Sequence, residues 1–447
     1  AGPLIRVQLL RHSEYGHALL FVVHHIAFDG CSLAVLAEEL DKLYGAISQG
    51  RESPLPDLPV QYADYSEWQR KYLAGDALDE HLDYWEQKLS GVPPVLELPL
   101  DRPRSSSISH SGAALEFKLD AELVSSLRTL CRERQITPFV FLITAFGVLL
   151  SRYARQDNFC IGYPVAGRRR EELEGLIGLF VNTLVLRIRS AGDVTFESLL
   201  AYVRASVLEA DTYQDLPFEK IVERVRPERS LDHAPLFQVL FAFEKAQNHG
   251  ASIPSLLTSP VPAPSSTDAK FDLTIELVEH NRHIEGAIEY KTDLFDRTTI
   301  ERMVGHFKTL LEAVVANPQS RVQDLPLLTE AERHQILVKW NDTKADFPQD
   351  KCIHQLFEEQ AVRSPDAIAV SSDDHALTYS ELDQEANQLA HRLSVLGVIP
   401  GMLVAICLDR DIDLVVGVLG ILKAGAAYLP IDPQYPVERI AYMIRDA

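Results

Sequence analysis

The clearest pattern of apolar and polar positions lies near the start of the chain, in LLFVVHHIAFDGCSLAVLAEELDKLY. The apolar run from Leu19 to Val23 predicts a strand, and apolar residues at helical spacing after about Ser32 predict an amphipathic helix. Asp29 or Ser32 has the short polar side chain that caps the first turn of such a helix. The pattern therefore places His24, His25 and Asp29 in a polar turn at a strand end, where functional side chains are common.

Strands and helices continue to about residue 328. Thr137 and Pro138 open a markedly apolar helix, PFVFLITAFGVLLSRYA, which should be buried on nearly all sides because it has no polar face. The other segments with a clear period are predicted strands (IRVQLLR, HALLFVV, AALEFKLD, KFDLTIELVE and IEGAIEYKTDLF) and predicted helices (AELVSSLRTLCRERQ, FESLLAYVRASVLEADTYQ and TTIERMVGHFKTLLEAVVAN). Pro- and Ser-rich stretches, RPRSSSISHSG and ASIPSLLTSPVPAPSSTDA, predict loops.

The pattern changes near residue 329. LPLLTEAERHQILVKWNDTKADFPQD predicts a linker with a short helix. Beyond it, a predicted strand (AIAVSSDD) precedes a helix that has a capping box from Thr378 to Glu381 and a stop at Gly397. A second strand and helix follow, VAICL and DLVVGVLGILKAG. This alternation is typical of the start of an α/β domain.

Composition narrows the class of protein. With 447 residues, 46% hydrophobic and 24% charged, the chain predicts a globular protein of two or three domains. Its net charge of -21 argues against a nucleic-acid-binding surface, and no apolar run is long enough to cross a membrane. The five cysteines form no CxxC pair, and the N-terminus has no signal-peptide pattern, so we expect reduced thiols and a cytoplasmic location.

Three hypotheses explain the turn HHIAFDG. In the first, the histidines satisfy backbone groups and Asp29 only caps the helix. In the second they bind a metal, which is disfavoured because adjacent strand side chains point to opposite faces and no Cys pair, His-Glu-x-x-His or second histidine cluster completes a ligand set. In the third, an imidazole takes a proton from an attacking amine, while Asp29 fixes the geometry through an arginine and Gly30 permits the close turn.

Five motifs in order resemble those of condensation domains of nonribosomal peptide synthetases, relatives of chloramphenicol acetyltransferase. HHIAFDG, YADYSEWQ, GLFVNT, QDLPFE and PLFQ are similar to the family's HHxxxDG, YxDYxxWQ, GxFVNT, QDxPFE and PLFQ. Tyr213 stands where the family often has His, and Cys31 where many members have Trp. We interpret Tyr65 and Trp68 as packing residues, and the run beginning at Arg168 (RRR) as a solvated turn rather than a phosphate site.

Two later motifs resemble the first core motifs of adenylation domains. They are LTYSEL and LKAGAAYLPID, which in that family are packing elements. Lys423 of LKAG is not a phosphate-loop lysine, because no GxxxxGK precedes it. We expect the adenylation part to be incomplete and inactive, and the earliest part of the condensation domain to be missing.

The resemblance implies an α/β (α+β) fold class: a chloramphenicol-acetyltransferase-like two-lobed condensation fold, followed by the α/β N-terminal part of an adenylate-forming domain. It predicts four segments: residues 1–105 as the remainder of the N-terminal lobe, 106–328 as the C-terminal lobe, 329–350 as a linker and 351–447 as the truncated start of the adenylation domain.

The resemblance also implies an activity, peptide-bond formation by an acyltransferase. An acceptor aminoacyl amine on one carrier protein attacks a donor aminoacyl or peptidyl thioester on another. By motif position His25 accepts the amine's proton or orients the amine, while His24, Asp29 and Gly30 support the motif. Asn182 either lines the channel or has a structural role where a strand starts.

The implied partners are donor and acceptor peptidyl carrier proteins and neighbouring synthetase modules, with no nucleic acid and no membrane. No cofactor or metal is expected to bind directly. Phosphopantetheine is presented by the carrier proteins, and ATP with magnesium serves only a complete adenylation domain. Two alternatives stay open, an epimerisation-type domain of the same fold and a non-catalytic scaffold or docking fragment. A hydrolase is disfavoured because the sequence has no GxSxG nucleophile elbow.

Overall fold

The computed structural model describes residues 2–11, 16–104, 111–226, 233–246, 268–372 and 375–447. Most of the two predicted Pro- and Ser-rich loops, at 105–110 and 251–267, lies outside the described residues, as do residues 12–15 between the first two predicted strands and the last two residues of the predicted strand AIAVSSDD. The chain divides into two compact units, Ala1–Asn341 and Asp342–Ala447.

The first unit begins with the predicted strand pair. Strands β1 (Ile5–Arg11) and β2 (His17–Val23) form a two-stranded antiparallel sheet. The predicted helix follows as α1 (Gly30–Ile47), which starts two residues before Ser32 because Asp29 is the residue that caps it. Two further helices complete this part of the unit, α2 (Tyr62–Tyr72) and α3 (Asp76–Leu89).

A six-stranded mixed sheet forms the centre of the first unit. Its strands are β3 (Gly112–Leu119), β4 (Asn158–Val165), β5 (Asn182–Arg189), β6 (Val239–Lys245), β7 (Leu273–Glu279) and β8 (Ile284–Lys291). They lie in the order β3-β8-β7-β6-β4-β5. Strand β6 runs parallel to β4 and to β7, and the remaining neighbours are antiparallel.

The helices that follow in this unit include α4 (Ala121–Glu133), α5 (Pro138–Ala154), α6 (Phe196–Thr212), α7 (Phe218–Val225), α8 (Arg297–Ala316) and the short α9 (Glu330–His334). Helix α5 is the apolar helix expected from the sequence. Thr137 caps it, Pro138 opens it, and every residue from Val140 to Leu150 is buried. Among the described residues, no single helix is long and apolar enough to cross a membrane; α4 and α5 meet that test only together, as a pair bent by 110°.

The core of the first unit extends across the predicted lobe boundary at residue 105. Trp85 and Leu89 of α3, with Leu96 and Leu98 beyond it, belong to the same buried cluster as the six-stranded sheet. Gln238 reinforces this contact, because its side-chain oxygen accepts from the amide of Leu96 at 2.7 Å. Helix α3 and the segment after it are therefore fixed to the large sheet, and the four segment boundaries stay predictions.

The second unit has the alternation that the sequence predicts. Its elements are α10 (Ile353–Arg363), β9 (Ile368–Ser371), β10 (Ala376–Thr378), α11 (Tyr379–Val395), β11 (Leu403–Ile406), α12 (Ile412–Lys423), β12 (Ala427–Pro430) and α13 (Val437–Asp446). The capping box between Thr378 and Glu381 is present, and Gly397 follows α11 with a φ of +94°. Strand β10, which pairs antiparallel with β9, has no counterpart in the sequence-based prediction.

Candidate active site

The polar turn HHIAFDG joins β2 to α1 through a single 3₁₀ turn, His25–Ala27. Nδ1 of His24 accepts a hydrogen bond from the amide of Ile26 at 3.1 Å, so His24 caps this turn. The amide of His24 in turn donates to the carbonyl of Leu4 at 2.8 Å. His24 is therefore fixed by hydrogen bonds to the backbone of Ile26 and Leu4.

His25 is exposed and its ring is oriented by one strong hydrogen bond. Its Nδ1 lies 2.7 Å from the carbonyl oxygen of Phe28. A carbonyl oxygen has no proton to give, so Nδ1 must be the donor in this contact. In the neutral imidazole the lone pair then lies on Nε2, which is the nitrogen able to accept a proton.

Asp29 is the centre of a buried hydrogen-bond network. Its carboxylate accepts from the amide and the hydroxyl of Ser32, at 2.9 and 2.8 Å, and from the amide of Phe180 at 3.0 Å. The two terminal guanidinium nitrogens of Arg168, Nη1 and Nη2, complete the set by donating at 3.1 and 3.0 Å. The two charged side chains are only 2% and 6% exposed, so this ion pair is almost fully removed from water.

Arg168 corrects one prediction from the sequence. The run beginning at Arg168 was expected to form a solvated turn, which is wrong for its first member and right for the exposed Arg169 and Arg170. The guanidinium of Arg168 also donates to the carbonyl of Leu176 at 3.1 Å and lies 4.2 Å from the centre of the Phe180 ring. The arginine expected to act with Asp29 is thus Arg168.

Two glycines allow the segments around Arg168 to approach so closely. Gly167 has a φ of +67°, and a Cβ there would lie 2.0 Å from the carbonyl oxygen of Phe180. A Cβ on Gly178 would lie 2.3 Å from the ring of Tyr62. Because any side chain at either position would collide with its neighbour, glycine is required at both.

Helix α2, which carries the YADYSEWQ motif that is expected to pack, lies against the GLFVNT segment. The hydroxyl of Tyr62 donates to the carbonyl of Leu179 at 2.8 Å, and the rings of Tyr62 and Tyr65 contact that of Phe180 with centroids 5.2 and 4.7 Å apart. Burial, with a contribution from Asp215, raises the pKa of Tyr65 to about 12. These aromatic residues therefore pack between α2 and the segment that holds Asp29.

Asn182 joins the GLFVNT and QDLPFE motifs. Its amide nitrogen donates to the carbonyls of Gln214 and Leu216, both at 2.8 Å. Its side-chain oxygen accepts from the amides of Thr183 and Phe218, at 2.9 and 3.2 Å. Each of these bonds is to backbone, so Asn182 at the start of β5 holds the loop before α7. A channel-lining role for this residue stays a prediction.

An open pocket of about 320 Å³ lies beside this network and was not expected from the sequence. The rings of Trp68 and Tyr72 stack in its wall, with centroids 5.2 Å apart, and Arg170 lies 4.7 Å from the centre of the Trp68 ring. The sequence contains a signal for this pocket, because Trp68 and Tyr72 are four residues apart and so lie on one helix face. The motif was interpreted as packing only.

Cys31, at the position where many family members have Trp, is not an activated nucleophile. Burial raises the pKa of its thiol, and the nearby carboxylates of Asp29 and Glu244 act in the same direction, opposed by Arg168. A raised pKa keeps the thiol protonated and weakly nucleophilic. The group of this turn that is placed to accept a proton is therefore not the Cys31 thiol but Nε2 of His25.

The mixed six-stranded sheet with its helices and the turn HHIAFDG identify the family to which the chain belongs. The family description "Condensation domain" matches residues 1–337, and "AMP-binding enzyme" matches residues 357–447. The chain belongs to the condensation-domain family, followed by the start of an AMP-binding enzyme domain. The predicted family and fold class are therefore confirmed.

The relatives are peptide synthetases. One linear gramicidin synthase protein of Brevibacillus parabrevis is 46% identical over 447 residues, and chondramide synthase cmdD of Chondromyces crocatus is 46% identical over 449. Phosphinothricin tripeptide synthetase PhsC of Streptomyces viridochromogenes is 42% identical over 448. Each match covers the whole of this chain, which spans 6%, 11% and 41% of these relatives.

Solved structures agree with this assignment. The four-domain nonribosomal peptide synthetase holo-AB3403, bound to AMP and glycine, matches the whole chain with a TM-score of 0.80 at 28% identity, over 34% of its own length. The X-domain from teicoplanin biosynthesis matches 73% of this chain and 75% of its own, with a TM-score of 0.66 at 31% identity. Synthetases of this family work on substrates attached to carrier proteins through phosphopantetheine, and their adenylation domains use ATP.

Proposed function

We propose that this condensation domain forms an amide bond between two carrier-bound substrates and that His25 is its catalytic residue. The acceptor's amine nitrogen attacks the carbonyl carbon of the donor thioester. A C–N bond forms and the C–S bond breaks. The proton leaves the amine for Nε2 of His25 and then passes to the departing sulfur, which restores the neutral imidazole.

One observation carries this proposal. The 2.7 Å hydrogen bond from Nδ1 of His25 to the carbonyl of Phe28 supports a tautomer whose lone pair is on Nε2. A general base needs both a fixed orientation and an available lone pair. We assign His24 and Asp29 supporting roles, because the first caps the turn and the second anchors it to the segment around Arg168. Gly30 opens α1 directly after the turn.

Holding two tethered reactants together contributes to the rate as well. Well-oriented intramolecular reactions reach effective molarities of about 10⁵ M or more. The proposed partners are a donor and an acceptor carrier protein, each presenting its substrate on a phosphopantetheine arm, within neighbouring modules of a synthetase. His25 accordingly acts on reactants that their carriers have already brought together.

The test is single-turnover condensation between two loaded carrier proteins in an intact module that contains this chain. We expect His25→Ala to lower the rate at least about a hundredfold, since general acid–base catalysis contributes roughly 10²–10⁴-fold. His25→Gln keeps a hydrogen-bonding side chain but accepts no proton at neutral pH. If it restores the rate, the residue orients the amine and is not a base; unchanged turnover by His25→Ala contradicts both roles.

A second candidate is a docking function without catalysis. Its support is that the X-domain of teicoplanin biosynthesis, which shares this fold, has been solved in complex with OxyB. The same experiment separates the two functions, because a docking domain would give no amide product with His25 intact. Epimerisation gains no specific support from the fold, the site or the comparisons.

A further inference from the structure

We propose that the β7–β8 hairpin carries a binding site for one zinc-class divalent transition metal, with His280, His283 and Glu285 as its ligands. This set, called the hairpin triad below, is separate from the turn that holds His25. From the sequence no directly bound metal is expected, but that expectation overlooks HNRHIE as a second group of histidines.

The backbone register brings the hairpin triad together. Strands β7 and β8 pair with Glu279 opposite Ile284, and the amide of His280 donates to the carbonyl of His283 at 2.8 Å. The two histidines therefore flank a two-residue turn and face each other across the hairpin. Glu285 lies two residues beyond His283 and so on the same face of the strand.

The side chains meet at distances that suit one metal ion. Nε2 of His280 lies 3.2 Å from one carboxylate oxygen of Glu285, and Nε2 of His283 lies 2.9 Å from the other. The two imidazoles are stacked, with centroids 4.7 Å apart, and all the ligand atoms lie within 4.8 Å of one another. In tetrahedral zinc sites with bonds near 2.0–2.1 Å, neighbouring ligand atoms are about 3.3 Å apart.

One nitrogen of the hairpin triad has an unmet bonding capacity. Nε2 of His280 is buried and makes no hydrogen bond of acceptable geometry to the described residues, despite its approach to Glu285. A buried polar atom without a partner is costly and calls for an explanation such as a bound ion. Coordination would satisfy this nitrogen and the carboxylate together.

The hairpin is also rigid enough to hold such a site. The guanidinium of Arg128, on α4, donates to the carbonyls of His280 and Asn281, both at 2.6 Å. Its Nε donates to Glu279 at 2.8 Å, which neutralises the arginine charge at the base of the turn. Lys118, a cation on the neighbouring strand β3, is exposed and 3.9 Å from Glu285, far enough to give way to a metal. Two imidazoles and one carboxylate form a set that favours zinc over magnesium or calcium.

The experiment uses the tag-free chain, stripped of metal by a chelator and dialysed. Zinc is titrated against a chromophoric competitor, with magnesium as the comparison ion. We expect one zinc per chain and a higher melting temperature of the zinc-loaded protein, because a ligand that binds only the folded state stabilises it. Each of His280→Ala and His283→Ala should weaken binding at least about tenfold, since losing even a group that only orients a ligand costs about 10–100-fold. Glu285→Gln should weaken binding in the same direction.

His391→Ala is the matched control, since His391 is exposed and lies in the second unit. His283→Gln, which keeps a polar side chain of similar length, is the substitute if an alanine variant melts early without zinc. The proposal is overturned if the parent chain binds no zinc at micromolar concentrations, or if hairpin variants with an unchanged metal-free melt bind it as tightly as the His391 control.

Discussion

Two adjacent arginines show how the burial of a charged side chain determines its contribution to the stability of the fold. Arg168 and Asp29 are buried and joined by two hydrogen bonds, whereas Arg169 is about half exposed and lies 3.6 Å from Asp215. Removing one partner of a buried ion pair leaves an unpaired charge in a low-dielectric environment, while exposed pairs are screened by water.

We predict that Arg168→Gln lowers the free energy of unfolding of the first unit by about 3–5 kcal/mol. Arg169→Gln, the matched control, should cost less than about 1 kcal/mol. Urea denaturation followed by circular dichroism measures both values. Equal losses for the two variants would contradict the assignment of Arg168 as the buried partner of Asp29.

The same pair shows what the sequence does and does not predict. The local pattern gives Asp29 or Ser32 as the helix cap, because capping depends on residues close in the chain. An arginine partner for Asp29 enters only in the acid/base hypothesis. The identity of that arginine depends on a contact between positions 139 residues apart, which no local period encodes. The role of Asn182 was likewise left open between the channel and a structural contact. Its partners lie in a loop 32 to 36 residues away, beyond the reach of a local pattern.

At the scale of elements, helix α2 is positioned by contact with a glycine. The GLFVNT segment passes directly under Tyr62, with room for no Cβ at Gly178. Glycine is thus part of the packing surface between a helix near the start of the chain and the segment that leads into β5. The contacts of α2 agree with the structural role expected for the YADYSEWQ motif. The pocket lined by Trp68 and Tyr72 was not expected.

We predict that Gly178→Ala destabilises the first unit by about 1–3 kcal/mol, the usual cost of overpacking a core. Gly45→Ala is the matched control. Gly45 lies within α1 with no atom within 4 Å of its prospective Cβ, so alanine there should stabilise by about 0.5–1 kcal/mol through helix propensity. Thermal melts of the two variants should therefore shift in opposite directions, and a shift of both to higher temperature would contradict the close packing described for Tyr62.

At the scale of the whole molecule, the two compact units have separate cores. The second is built around Leu382, Ala386 and Leu419, with a smaller group around Ile406 and Ile421. Lys423 is part of this packing. Its ammonium group donates to Glu358 and Asp383, both at 2.7 Å, and to Asn387 at 2.9 Å, with the side chain only 4% exposed. Because its ammonium group already donates to three acceptors, this arrangement agrees with the expectation that Lys423 is not a phosphate-binding lysine.

We predict that Lys423→Met lowers the stability of the second unit and leaves that of the first unchanged. The three acceptors that face Lys423 would lose their common donor, and amide hydrogen exchange should speed up in α10, α11 and α12 alone. Lys351→Met is the control, because Lys351 pairs with Glu359 at the surface. Faster exchange throughout residues 2–341 would show that the two units do not unfold separately.

The network around Asp29 also sets an order of events during synthesis. Three of its five hydrogen bonds come from Arg168 and Phe180, the latter 151 residues further along the chain. At translation rates of about 5–20 residues per second, that separation corresponds to about 8–30 s. For this interval the nascent chain carries His25 without the anchor next to it. A ribosome-bound fragment ending before Phe180 should therefore have a protease-sensitive His25 turn.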